Sequence, residues 1–549
     1  MSNQQINRMR YAEADDGVAP PPRLLLGLAI ALLGLFAIGI IAALLVMILR
    51  PAPSQLLEIG IIAVPVIVIG TLLASVLFRR WLPRRFTVIL VALWLIAAIV
   101  GGTAFIVVFR NNLAPGQRET VKNYLPFMEI FAPPLPPADT SLPTPMPESQ
   151  SGISAEDLLS DPLGSGLSTP LPPTELPQVI APTTPSQEPT QAATVMPTAT
   201  PVVTATLPPT QAAIAPTQAN TFAVSANLPP VRPSAHRLYG ITAVKQGWNN
   251  CGPANITMAL SYYGWKQDQE VAVSYLKPDR EDKNVNPWEL VDFVRSQSGV
   301  LALTRIGGDM ELLKQIISNG FPVVIETGYL YEGSDWLGHY QTVVGYDDAL
   351  RVFYIYDSYL GAGENGSGIP ESYEDFDRYW QNFNRTFVVL YRAEEEITIR
   401  TLLGDRADVT RAAEIALQTA QEEARANPQN AFAWFNLGSS FAALGEYEKA
   451  ASAFDKARQL GTLPWRITLY QFGPFESYYN VGRYDDIVFL VDSNFNNGGQ
   501  YVEEIWYWQG KVLAARGETA QAASSFRQAL QRHPGFAAAA EALKSLPAT

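Results

Sequence analysis

"KQGWNNCGPANITMALSYYG", residues 245–264, contains the single cysteine of a 549-residue chain. Behind that cysteine Ile256, Ala259, Leu260 and Tyr263 recur at helical spacing, Pro253 suits a first helical turn, and Gly264 ends the run. The pattern predicts a helix beginning at Cys251. A thiol in that position faces unpaired backbone N–H groups and the positive end of the helix, and both favour the thiolate. The competing reading of a lone cysteine is apolar filler in a core. Just upstream, Gln246 offers an amide donor to an oxyanion formed beside the sulfur.

A thiolate nucleophile needs a base, and the chain has 3 histidines. His236 stands at a domain boundary and His533 in a late helical linker, which leaves His339 in "GHYQTVVGYDDALRVFYIYDSY", residues 338–359. Two strand-like runs flank a turn at "DDAL". A hairpin symmetric about Asp348 would set His339 directly opposite Asp357, on one face and within pairing distance. A carboxylate so placed orients an imidazole and stabilises its protonated form. Asp347 and Asp348 fall in the turn and read as solvated.

These segments, "QGWNNCGPA" at 246–254, "GHYQTVVGYD" at 338–347 and "YDS" at 356–358, resemble the papain-fold leader-peptidase superfamily, in particular the stand-alone relatives of bacterial double-glycine leader peptidases. The resemblance spans about 238–393 and implies an α+β papain-like domain. It also implies a Cys251 nucleophile, an oxyanion glutamine at Gln246, a base at His339 and an orienting acid at Asp357. Gln246 stands one position nearer the cysteine than in the classical papain arrangement. No Gly-rich phosphate loop of an ATP-binding cassette is present, so coupled export is not implied.

Further along, "NAFAWFNLGSSFAALGEYEKAASAFDKARQLG" (430–461) carries Trp434, Leu437, Gly438, Ala450, Phe454 and Ala457. A second copy has Trp506, Gly510, Ala522, Phe526, Ala529 and Pro534. Both are similar to tetratricopeptide repeats, with a degenerate unit between them aligned through "GRYDDI" (482–487) on "GEYEKA" (445–450), at a register of about 34 residues. Stacked helix pairs of this kind present a concave surface to a peptide or protein partner. The plainer alternative is that they only cap and stabilise the neighbouring domain.

Towards the N-terminus, apolar runs without charge cover 24–49, 59–78 and 86–109. Each is long enough to cross a bilayer, and the arginines of "RRWLPRR" (79–85) place that connection and the N-terminus in the cytoplasm. From 132 to 235 the chain is rich in Pro, Thr and Ser and too poor in large apolar residues to offset chain entropy. A net charge of −13 excludes a nucleic-acid binder, and one cysteine excludes an intrachain disulfide. No cofactor or metal site is evident in the residue spacing.

The sequence thus predicts a multidomain chain. It has a cytoplasmic segment (1–23), three transmembrane helices (24–110), a disordered stalk (111–235), a papain-like cysteine peptidase domain (236–395) and all-α tetratricopeptide-like repeats (396–549). The expected partners are the lipid bilayer, a peptide or protein substrate, and a protein on the repeats. The expected location is the cell membrane, multi-pass, with everything after about residue 110 extracellular. The function so predicted is a membrane-anchored peptidase working by thiolate acyl transfer. The alternative is a non-catalytic cell-surface scaffold that binds peptides with an inactive peptidase fold.

Overall fold

In the computed structural model the described residues are 102–103, 105–111, 113, 115–132, 141–145, 152–160, 232–330 and 335–547. They divide into two units. The first comprises the described part of Met1–Thr140 with the loops Gly247–Asn250 and Asp279–Lys283; the second comprises the described parts of Ser141–Gln246, Cys251–Pro278 and Asn284–Thr549.

In the first unit, helix α1 (Pro115–Tyr124) leads into a 3-10 turn over Pro126–Phe131. Val108, Phe109, Leu113, Val121 and Met128 bury one another there. Val108 and Phe109 end the third apolar run, so its described end packs on neighbouring helical turns of the chain. Among the described residues no helix is long and apolar enough to cross a membrane. The described residues therefore do not bear out the three-helix membrane anchor, nor the lipid-bilayer partner, the multi-pass location and the extracellular placement that rested on it. The runs 24–49 and 59–78, and most of 86–109, lie outside the described residues.

The second unit opens with part of the expected stalk. Ser141 bridges Pro464, Leu142 N–H donates to Leu463 O at 2.7 Å, and helix α2 (Ala155–Ser160) packs on the repeats. Gln421 Nε2 donates to Leu158 O at 3.1 Å, and Arg425 to Leu159 O. Leu142 and Leu158 supply the apolar anchors, both buried in the repeat core. The expectation of disorder is corrected for these residues, because two leucines and paired backbone groups hold them; residues 161–231 lie outside the described residues.

The α+β domain follows. Its elements are β1 (Ala235–Arg237), α3 (Cys251–Ser261), α4 (Gln269–Leu276), α5 (Pro287–Gln297), β2 (Leu301–Arg305), α6 (Met310–Ser318), β3 (Val323–Leu330), β4 (Trp336–Asp347), β5 (Val352–Asp357), β6 (Ile369–Ser372), α7 (Tyr373–Trp380) and β7 (Phe387–Tyr391). The antiparallel sheet runs β2-β7-β3-β4-β5-β6, with β1 paired to the far end of β4. Local chemistry sets the helix ends: Asp268 caps α4 through Glu270 N–H, Asp309 caps α6 through Leu312 N–H, and Pro287 opens α5. After α3 the chain turns at Gly264, whose φ of 90° favours a residue without a Cβ.

The two sheet faces bury different helices. On one, Ile256, Ala259 and Leu260 of α3 meet Leu290 and Val294 of α5 over Val324, Val388 and Leu390. On the other, Leu313, Ile316 and Ile317 of α6 cover Val323, Ile325 and Val343. Truncating one of these leucines to alanine costs about 2–5 kcal/mol in a packed core. The thiol helix is therefore fixed to the sheet along its length, and its N-terminal residue has little freedom to drift.

Helices α8 (Glu396–Leu403) and α9 (Val409–Ala426) lead to the repeats. These are the pairs α10/α11 (Ala431–Ala443, Tyr447–Gln459), α12/α13 (Gly473–Asn480, Tyr484–Asn496) and α14/α15 (Glu503–Ala515, Thr519–Arg532), followed by α16 (Ala537–Ser545). Gly438 and Gly510 let paired helices close: a Cβ would lie 2.8 Å from Phe454 Cδ1 and 2.5 Å from Phe526 Cε1. An additional 3-10 turn over Trp465–Leu469 sits between the first two pairs and breaks the even register of about 34 residues. That turn leans on the α+β domain, and Trp336 and Phe383 of the latter join the repeat core.

Candidate active site

Cys251 is the first residue of α3, where backbone N–H groups lack intrahelical partners. It is half-buried and packs against the core between α3 and the sheet. His339 lies on β4 and Asp357 ends β5, both buried. His339 Nε2 stands 3.0 Å from Asp357 Oδ2, and the His339 side chain is also hydrogen-bonded to the Cys251 thiol. The three predicted residues are thus brought together in one relay.

The route differs from the predicted hairpin. Asp357 pairs with Gln341 rather than with His339, because the turn is centred later and a bulge intervenes between Val343 and Gly345. Side chains on a strand alternate, so His339 and Gln341 share a face, and the carboxylate reaches the imidazole diagonally. Asp357 is held from several sides: Gln341 Nε2 donates to Oδ2 at 3.0 Å, and the N–H groups of Tyr359 and Leu360 donate to Oδ1 at 2.7 and 2.9 Å. Asp348, predicted to be solvated, instead pairs with Arg232 and Lys314.

Gln246 is tied in by a residue that sequence reasoning missed. Its N–H donates to Ser358 O at 2.8 Å, and its Oε1 accepts from Ser358 Oγ at 2.7 Å. Ser358 Oγ in turn accepts from Asn255 Nδ2 at 3.0 Å, and Asn255 Oδ1 accepts from Thr342 Oγ1 at 2.9 Å. With its oxygen engaged, Gln246 is left with its NH2 group as the donor. Asn255 lies one helical turn after Cys251, and Ser358 directly follows Asp357, two spacings that tie them to the relay.

Burial raises the Cys251 thiol, but the hydrogen bond and charge of His339, the charge of Lys277 and the Tyr340 N–H together bring it below its ordinary value. Burial likewise opposes charge on His339, and Asp357 reverses this, raising the imidazole to about 10. Asp357 is itself resisted by burial and brought down to about 2, chiefly by His339. The combined directions favour a thiolate–imidazolium pair. Two further acids look on. Glu326, buried on β3, is pushed well above the carboxylate range by burial and by Cys251. Glu371 is raised to about 7 by burial and by Asp357, and its Oε2 is buried without a partner.

One group of side chains among the described residues has the make-up of a metal-ligand set. Glu289, Glu503 and His533 offer ligand atoms within 4.8 Å of one another. His533 Nδ1 is hydrogen-bonded to Glu503 Oε1 at 2.7 Å. His533, expected in a helical linker, thus stands beside two acids.

Comparison with known proteins follows the same division of the chain. Residues 238–388 match the model of the Peptidase C39 like family, and residues 431–461 and 504–535 match tetratricopeptide repeat models. Among solved structures, a C39-like peptidase from Bacillus anthracis is 17% identical over 29% of this chain and 98% of its own, with a TM-score of 0.24. A double glycine motif protease from an AMS/PCAT transporter, solved with its leader peptide, is 19% identical over 30% of this chain and 99% of its own, with a TM-score of 0.22. No curated protein matches. The chain carries a distant C39-like cysteine-peptidase domain followed by tetratricopeptide repeats.

Proposed function

We propose that the α+β domain receives a peptide carbonyl at a Cys–His–Asp centre competent for thiolate acyl transfer. The observation that supports this most is the relay itself: a helix-start thiol bonded to His339, whose Nε2 lies 3.0 Å from a carboxylate held by three other donors. In this reading Cys251 Sγ attacks the carbonyl carbon, a C–S bond forms, and the carbonyl π pair moves to oxygen. Gln246 and first-turn N–H groups of α3 receive that charge. As the C–N bond breaks, the His339 imidazolium protonates the leaving amine. Neutral His339 then takes a proton from water, which attacks the thioester and releases the acid and the thiolate.

A second reading is favoured by the enclosure of His339 and by the raised acids around the relay, Glu326 near the thiol and Glu371 near Asp357: a peptide-binding protein that does not turn over. A degenerate peptide mixture incubated with the full chain and with Cys251→Ala separates the two. New amino termini formed only by the wild type support hydrolysis. Equal retention of peptide by both proteins, with no new termini, supports binding alone.

A further inference from the structure

We propose that Tyr470, carried by the repeats, forms one wall of the thiol cleft and limits the size of the group that reaches Cys251. The inference rests on the reading of Cys251 as the reacting atom. Tyr470 closes the 3-10 turn Trp465–Leu469. Its ring lies against Gly338, the residue before His339, so closely that a Cβ on Gly338 would stand 2.8 Å from Tyr470 Cδ2 and Cε2. Gly338 N–H faces the phenol oxygen. Burial above all raises the phenol to about 12, and negative charge on Cys251 adds to this, so the phenol stays neutral at physiological pH.

The turn is fixed rather than draped. Trp465 Nε1 and Arg466 Nε both donate to Asp335 Oδ2, at 3.0 and 2.9 Å, and Gln471 Nε2 donates to Asn382 O at 3.0 Å. Trp336 and Phe383 meet the Tyr470 ring edge-on, each with centroids 6.1 Å away. A side chain locked by packing and by hydrogen bonds on both flanks makes a wall of defined shape. The repeats then shape the reactive centre, in addition to whatever they bind along their own surface.

The test uses the full chain and two thiol electrophiles, iodoacetamide as the small probe and a fluorescein maleimide as the bulky one. Cys251 is the single cysteine, so each rate reports that site. Tyr470→Ala should raise the bulky-to-small rate ratio roughly tenfold, whereas Tyr470→Phe, which keeps the ring, should leave it unchanged. Tyr470→Leu, which preserves apolar packing, should fall between them and serves if the alanine variant unfolds. An unchanged ratio in a folded Tyr470→Leu variant, or equal acceleration of both probes, overturns the wall. Slow, His339-independent iodoacetamide labelling of the wild type would instead sink the activated-thiol reading, a separate outcome.

Discussion

Two buried charge clusters can be set side by side. In the repeats, Arg458 and Asp486 have no exposed side-chain surface and meet at 3.1 Å. Arg483 pairs with Asp455 at 2.6 Å and with Asp486 at 2.9 Å. Tyr478 links Arg458 to Asp455, and Pro143 O and Thr144 O accept from Arg458. Two cations, two anions and neutral partners close on themselves. Around the candidate relay, by contrast, Cys251 is half-buried, burial and Cys251 push the Glu326 carboxyl well above its usual range, and Glu371, near Asp357, keeps a buried oxygen without a partner. A saturated cluster fixes a fold; one with access and spare hydrogen-bonding capacity is suited to chemistry.

Breaking the saturated cluster should have the largest effect. Asp486→Ala leaves two buried guanidinium groups short of a carboxylate and should cost about 3–5 kcal/mol in denaturant unfolding, with Cys251 labelling in the remaining folded protein unaltered. His339→Ala should do the reverse. Asp357 keeps Gln341 Nε2 and two backbone donors, so the fold survives, while iodoacetamide labelling at pH 7 falls roughly thirtyfold as the thiol returns to its free pKa. Gly510→Ala, which forces a methyl against Phe526, should cost about 2 kcal/mol and leave labelling alone.

The smallest effect sharpens the contrast. Glu371 is raised from 4.5 to about 7, so the folded state holds its proton more tightly than the unfolded chain. Its stabilising contribution is complete below pH 4.5 and is lost as pH rises through about 7. Glu371→Gln should therefore raise the melting temperature more at pH 8 than at pH 5. A gain of the same size at both pH values would remove Glu371 from the account.

The legibility of the sequence follows the same line. The helix behind Cys251 and the tetratricopeptide pairs were readable because both rest on local periodicity and on small residues set against phenylalanines. The Asp357–His339 approach was half readable: strand alternation gives the shared face, but the turn centre and the bulge at Val343/Gly345 depend on packing that no short window reveals. The parts played by Ser358, Asn255 and Tyr470 were not legible for a stronger reason. Each acts across a long separation in sequence, Tyr470 from another domain altogether. The membrane anchor shows the opposite failure. Long apolar runs alone suggested it, whereas the described end of the third run buries Val108 and Phe109 within the chain.

The most direct test of the activated pair is the pH profile of iodoacetamide labelling in the full chain, wild type against His339→Ala. The account predicts rapid labelling below pH 7 in the wild type, and in the variant a rate that climbs only near the free-thiol pKa of about 8.5. Two superimposable profiles, both rising only near that value, would contradict it.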